Sequence, residues 1–190
     1  MNELSAHQEE CWEELIDGKV VLMSPRPAFN HNIVSENIYS IFRNYLRGKA
    51  CTPLGDGYDL YISEKERYVP DMMVVCDRDK LKKSGVHGTP DLVVEVLSPR
   101  TAQYDRGHKK KVYERAGVRE YWIVSPGDMT VEQYLLRDGV LELETVYIHP
   151  DDIVIEKMSE EEKAQVPTAV KCSLYDDLTI SMADIFEGMI

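Results

Sequence analysis

The chain is 190 residues long, 43% hydrophobic and 29% charged, with a net charge of −12. These values predict one globular domain over residues 1–190 with a core large enough to need no disulfide and no structural metal. No window approaches eighteen uncharged apolar residues, which excludes a helical membrane span. The start carries Glu3, Glu9, Glu10, Glu13 and Glu14 and no basic residue, unlike the basic and then apolar start of a secretory signal. Cys11, Cys51, Cys76 and Cys172 form no CxxC pair and no zinc spacing. They read as four reduced thiols in a cytoplasm.

In chain order, residues 1–14 read as a polar helical lead-in. Residues 19–23 follow the turn dipeptide Asp17-Gly18 and read as a strand paired with Leu15-Ile16. Ser24-Pro25-Arg26-Pro27 breaks the pattern. Apolar residues at Ile33, Val34, Ile38, Ile41, Phe42, Tyr45 and Leu46 predict an amphipathic helix over 31–46. Residues 58–62 and 68–76 read as two strands. Residues 91–97 (DLVVEVL) read as a central strand, and 101–116 as a helix ended by Gly117. Residues 120–124 read as a strand, and 131–136 and 140–147 as a hairpin around Arg137-Asp138-Gly139. Strands on both sides of a helix, with hairpins at the ends, imply an α/β sheet of mixed direction.

The net negative charge argues against long-range attraction to nucleic acid. Residues 100–119 invert it locally, with seven basic residues (Arg100, Arg106, Lys109, Lys110, Lys111, Arg115 and Arg119) against Asp105 and Glu114. The chain lacks a phosphate-binding glycine loop, an HExxH pair and a GxSxG elbow. What it has instead is two carboxylates in hydrophobic strands. Asp71 opens the run Met72-Met73-Val74-Val75, and Glu95 interrupts Leu92-Val93-Val94 and Val96-Leu97. A carboxylate there is costly unless paired or bound to a metal. Either one alone reads equally as half of a buried ion pair. On adjacent strands, about 5 Å apart, the two could share a divalent cation, and oxygen ligands suit Mg²⁺ or Mn²⁺. Asp91 is too far along the strand from Glu95 to join it and reads as a turn or cap residue. Asp105, Lys109 and Tyr113 recur every four residues on one helical face. They fit a solvated salt-bridged face, or a lysine reaching toward the metal site. His31 and Glu36 begin the first long helix, where each has an ordinary structural reading.

The residues Pro90-Asp91-Leu92-Val93-Val94-Glu95-Val96-Leu97-Ser98-Pro99, Tyr104-Asp105-Arg106-Gly107-His108-Lys109, Tyr113 and Ala116-Gly117-Val118-Arg119-Glu120-Tyr121-Trp122-Ile123-Val124 closely resemble the Uma-two family of restriction endonucleases. So do Glu14-Leu15-Ile16-Asp17-Gly18-Lys19-Val20, the Pro25 to His31 spacing, and Pro70-Asp71. The resemblance runs from about residue 13 to residue 126 and extends toward the C-terminus. It implies the PD-(D/E)XK nuclease superfamily and its fold, a restriction-endonuclease-like mixed central β-sheet flanked by helices, here with extra N- and C-terminal hairpins. In that pattern Asp71 and Glu95 are the acidic positions. The usual lysine position is Leu97, and Lys109 on the next helix resembles its migrated replacement.

The resemblance therefore implies an Mg²⁺- or Mn²⁺-dependent endonuclease of DNA. Asp71, Glu95 and the Val96 carbonyl would hold the metal, and Lys109 would stabilise charge at the scissile phosphate. His31, Glu36, Asp105 and Tyr113 would support the site. Arg100, Arg106, Lys110 and Arg115 would hold backbone phosphates. Two rival readings stand beside it: an inactive binding or structural module on the same fold, and a hydrolase of small phosphorylated molecules. Double-strand cleavage favours a two-fold homodimer, for which the C-terminal hairpin offers strand edges.

Overall fold

The computed structural model describes residues 13–22, 28–151, 155 and 157–190. The strands, in chain order, are β1 (Glu13–Ile16), β2 (Lys19–Leu22), β3 (Thr52–Leu54), β4 (Leu60–Ser63), β5 (Glu66–Tyr68), β6 (Met72–Val75), β7 (Leu81–Lys82), β8 (Gly85–His87), β9 (Leu92–Val96), β10 (Glu120–Ser125), β11 (Thr130–Arg137), β12 (Val140–Ile148), β13 (Ala169–Lys171) and β14 (Thr179–Ser181). Helix α1 (Phe29–Tyr45) follows β2. Between β9 and β10, α2 (Ala102–Tyr104) runs through a π-helical turn, Asp105–Lys109, into α3 (Lys110–Ala116).

The main sheet has the order β12-β11-β10-β9-β6-β3. It is mixed: β9 and β10 are parallel, and the other pairs are antiparallel. The parallel pair is joined by α2 and α3, because parallel neighbours need a crossover. Gly117 ends α3 with φ of 85°, as the left-handed cap requires. Alternation along the strands gives the sheet two apolar faces. Met72, Val74, Val94, Val96 and Trp122 pack with Val34, Ile38 and Phe42 of α1. Met73, Val75, Val93, Tyr121 and Ile123 pack with Val112 and Tyr113 of α3 and with Leu60, Tyr68 and Val86 of a second sheet. This restriction-endonuclease-like α/β architecture agrees with the sequence expectation.

The second sheet, β2-β1-β5-β4-β8-β7, departs from it. Residues 68–76 are not one strand: β5 belongs to the second sheet and β6 to the main one. Pro70, which has no N–H to donate to a ladder, lies in the step between them. Glu13 and Glu14 are not the end of a helical lead-in but part of β1, paired with β2 across Asp17-Gly18. Residues 1–12, with Cys11, and the Ser24–Pro27 break lie outside the described residues. The cysteine expectation also fails in part. Thr52 pairs with Val75, which sets Cys51 beside Cys76, and the two form a disulfide with 3.9 Å between Cα atoms. Their separation of 25 residues leaves no spacing signal; strand register makes the pair. Cys172 is free and buried.

Glu120 on β10 is fully buried. It accepts hydrogen bonds from the Trp122 indole (2.6 Å), the Gln133 amide (2.6 Å) and the Ser173 backbone N–H (2.8 Å). It thereby ties the C-terminal segment to the main sheet. Glu120→Ala should leave these donors short of an acceptor and cost about 3 kcal/mol or more of stability, measured as a lower urea midpoint. An unchanged midpoint would show the segment to be held by other contacts.

Candidate active site

The register Met72↔Val94 and Met73↔Val93, continued by one residue, sets Asp71 opposite Glu95. By strand alternation Glu95 lies on the α3 face of the main sheet, while Asp71, one residue before β6, has its carboxylate 3.4 Å from His31 of α1. The Val96 N–H donates to Asp71 Oδ2 at 2.6 Å, and the Ser35 hydroxyl of α1 donates to the Asp71 carbonyl at 3.3 Å. Two different elements therefore fix the start of β6.

Lys109 is 3% exposed and reaches toward Glu95 from the helical side. Its Nζ donates to Glu95 Oε2 at 3.0 Å, and the Tyr113 hydroxyl donates to Glu95 Oε1 at 2.8 Å. The same ammonium lies 3.5 Å from Asp105 Oδ1 and 3.4 Å from Glu14 Oε1. Asp105 and Lys109 delimit the π-helical turn. Such turns interrupt helices frequently at functional sites, and this one directs both side chains into the interior. Tyr121 donates to the Asp105 carbonyl at 3.2 Å.

Burial raises the Glu95 pKa well above the ordinary carboxylate range, with Lys109 opposing and Asp105, Asp71 and Glu14 reinforcing. Asp105 is raised by burial as well. Burial works against the charged form of Lys109, but the carboxylates of Glu95, Glu14 and Asp105 outweigh it and raise its pKa. Burial and Glu95 also raise Tyr113, so its phenol stays protonated and donates. Glu14 Oε2 and Asp105 Oδ1 are buried without a hydrogen-bond partner. Those two carboxylates lie beside the Lys109 ammonium, while the oxygen donors of Asp71 and Glu95 are of the kind a hard divalent cation takes.

Of the supporting residues, His31 Nε2 lies 3.4 Å from Asp71 Oδ1. Asp105 and Tyr113 also join the centre. Glu36 does not: it faces solvent on α1. Asp91 is structural, accepting from the Cys76 N–H at 2.8 Å and lying 3.5 Å from Arg119. Glu14 is a member of the cluster that motif reasoning left out of the site. Its signal was present in the sequence, in the stretch Glu14 to Val20.

The basic residues divide into two groups. Arg106 pairs with Glu132 at 2.6 Å, Arg115 pairs with Glu66 at 2.9 Å, and Lys110 Nζ sits 4.4 Å over the Tyr134 ring. Arg100 lines an open groove of about 520 Å³ with Gln103, Tyr104, Gly107, His108 and Lys111. Tyr104 and His108 stack there, with ring centroids 5.3 Å apart. The Tyr104 ring also lies 5.8 Å from Lys109 Nζ, so the groove adjoins the buried centre. Asp17, Glu66 and His108 bring ligand atoms within 4.8 Å of one another. Two of the three have other partners: Glu66 binds Arg115, and His108 lies 3.2 Å from the Tyr68 hydroxyl.

Burial lowers the His31 pKa, but the hydrogen bond to Asp71 and the Asp71 charge more than offset it, so the net shift is upward from 6.5. A raised imidazole contributes stability that is fully present below the unfolded value and lost as pH rises through the folded one. In EDTA, His31→Gln should therefore remove part of the stability that is lost as pH rises above the ordinary imidazole value of 6.5. Urea midpoints across that rise test this, and an unchanged slope would place the charge elsewhere.

Comparison with known proteins agrees with the fold and with the sequence resemblance. A family model, Uma2, described as "Putative restriction endonuclease", matches residues 2–167. "Uncharacterized protein slr1290" of Synechocystis sp. is 31% identical over 144 residues, covering 71% of this chain and 75% of that protein. "Uncharacterized protein sll1609" of the same organism is 26% identical over 125 residues, covering 64% and 70%. A crystal structure of a "putative nuclease belonging to DUF820" from Anabaena variabilis superposes with a TM-score of 0.68 at 20% identity, covering 92% of this chain and 89% of that one.

Proposed function

We propose that this chain, which belongs to the Uma2 family, is a divalent-cation-dependent endonuclease that hydrolyses phosphodiester bonds of DNA. The observation that carries the reading is the placement of Asp71 opposite Glu95, with the Lys109 ammonium 3.0 Å from Glu95.

Asp71 and Glu95, with the Val96 carbonyl, would hold Mg²⁺ or Mn²⁺. When bound, the cation would polarise the phosphate and make its water more acidic. The chain's own residues supply the rest. Lys109 brings a fixed positive charge to a water-poor site, where it would stabilise charge developing on the phosphoryl oxygens. Tyr113 donates to Glu95 and fixes the carboxylate's orientation, while His31 and the Val96 N–H do the same for Asp71. The groove lined by Arg100, His108 and Lys111 would receive the phosphate backbone beside the centre. Arg106, Lys110 and Arg115 would add charge around it. The local excess of basic residues over 100–119 would attract nucleic acid to this segment of an otherwise acidic protein.

A plasmid nicking assay tests the reading, with Mg²⁺ or Mn²⁺ supporting cleavage and EDTA abolishing it. Glu95 is the acceptor for two buried donors, so Glu95→Ala would disturb the fold; isosteric changes separate chemistry from stability. Asp71→Asn and Glu95→Gln should abolish both cleavage and Mn²⁺ binding by calorimetry. Lys109→Met should reduce cleavage by about a hundredfold or more. Undiminished Mn²⁺ affinity in both carboxylate variants would rule out the shared site.

We also propose a homodimer through the C-terminal hairpin. Strand β12 is an edge of the main sheet, and its Val140, Leu143 and Val146 are exposed. Light scattering at micromolar concentration should give twice the chain mass; a monomer mass would reject this assembly.

A further inference from the structure

We infer that Glu14 is a positioning residue of the hydrolytic centre, holding Lys109 in place from outside the main sheet. The inference rests on the nuclease reading above and extends it to a residue that the Asp71, Glu95 and Lys109 set does not include.

Glu14 comes from β1 of the second sheet, yet it is only 1% exposed. Its Oε1 accepts from the Val69 N–H at 3.3 Å and lies 3.4 Å from Lys109 Nζ. Val69 stands two residues before Asp71. One carboxylate thus contacts both the catalytic lysine and the segment that leads to the first metal-binding carboxylate. Its second oxygen, Oε2, is buried with no hydrogen-bond partner. A buried carboxylate left half-satisfied is costly. Among the described residues, the cation beside Glu14 is Lys109.

The arrangement around Lys109 explains why a third carboxylate is needed. A lysine this deeply buried keeps its charge only with close counter-charges. Glu95, Asp105 and Glu14 provide them from β9, the π-helical turn and β1. The nuclease reading also assigns Glu95 to the cation, so Glu95 is shared. Asp105 sits on the same helical segment as Lys109 and moves with it. Glu14 is the counter-charge that anchors the ammonium to an independent element.

A double-mutant cycle tests this, using wild type, Glu14→Gln, Lys109→Met and the double variant. Glutamine keeps an acceptor for the Val69 N–H, so the cycle reads the charge alone. In EDTA, Glu14→Gln should lower the thermal midpoint by roughly 5 °C or more when Lys109 is present. In the Lys109→Met background the same change should have no effect or raise the midpoint, because there it removes an uncompensated carboxylate. With Mg²⁺ and plasmid, Glu14→Gln should lower kcat at least about tenfold with KM within about twofold, and Glu14→Asp should recover part of the loss. Equal destabilisation by Glu14→Gln in both backgrounds, or wild-type kcat in Glu14→Gln, would overturn the inference. If the wild-type protein cleaves nothing, the nuclease reading fails, and the thermal cycle alone decides the role of Glu14.

Discussion

Keeping one ammonium charged in the interior constrains much of this molecule. Lys109 has lost almost all its water, so its charge survives only because acidic groups surround it. Those groups come from a strand of the main sheet, from the helix that carries the lysine, and from a hairpin of the second sheet. Each must be held in place by its own backbone contacts. The π-helical turn, the tyrosine that donates to Glu95 and the packing of β1 against β5 all meet that requirement. The carboxylates in turn depend on the lysine. Without the ammonium, Glu95 and Asp105 would stand buried with no cation to offset their desolvation.

The sequence made part of this centre readable and hid the rest. Glu95 stood out because it interrupts an otherwise apolar strand, and Asp71 because it opens one. Helical spacing put Asp105, Lys109 and Tyr113 on one face but fitted a solvated one as well; the family resemblance singled out Lys109, and the structure turns that face inward. Glu14 was harder to see. It lies next to Glu13 and close to Glu9 and Glu10, so composition alone gives it the look of a solvated run. Only the pairing of β1 with β2 and β5 buries it. Spacing of four residues could not reveal the π-helical turn either, since an ordinary helix places Asp105 and Lys109 on one face equally well.

Other differences have the same origin in non-local pairing. Residues 68–76 look like one strand because both halves are apolar, and local pattern cannot show that they belong to two sheets. The Cys51–Cys76 disulfide depends on the register of β3 with β6, which the intervening residues do not encode. Glu120 sits in an apolar strand much as Glu95 does, yet four of its partners are structural donors from Trp122, Gln133, Cys172 and Ser173. Two buried glutamates with similar sequence surroundings thus hold different company: one faces neutral donors, the other a cation and fellow acids.

The step from β5 to β6 has a mechanical consequence. Only Val69, Pro70 and Asp71 separate the last residue of β5 from the first of β6, a span of about 14 Å at most when fully extended. Such a tether has little slack, and the proline stiffens it further. Sliding of the two sheets past one another would therefore pull on Asp71, and also on the short link 88–91 from β8 to β9. The alignment of Asp71 with Glu95 is, in effect, a gauge of how the two sheets sit, and a load applied at the outer sheet reaches the centre through three residues of backbone.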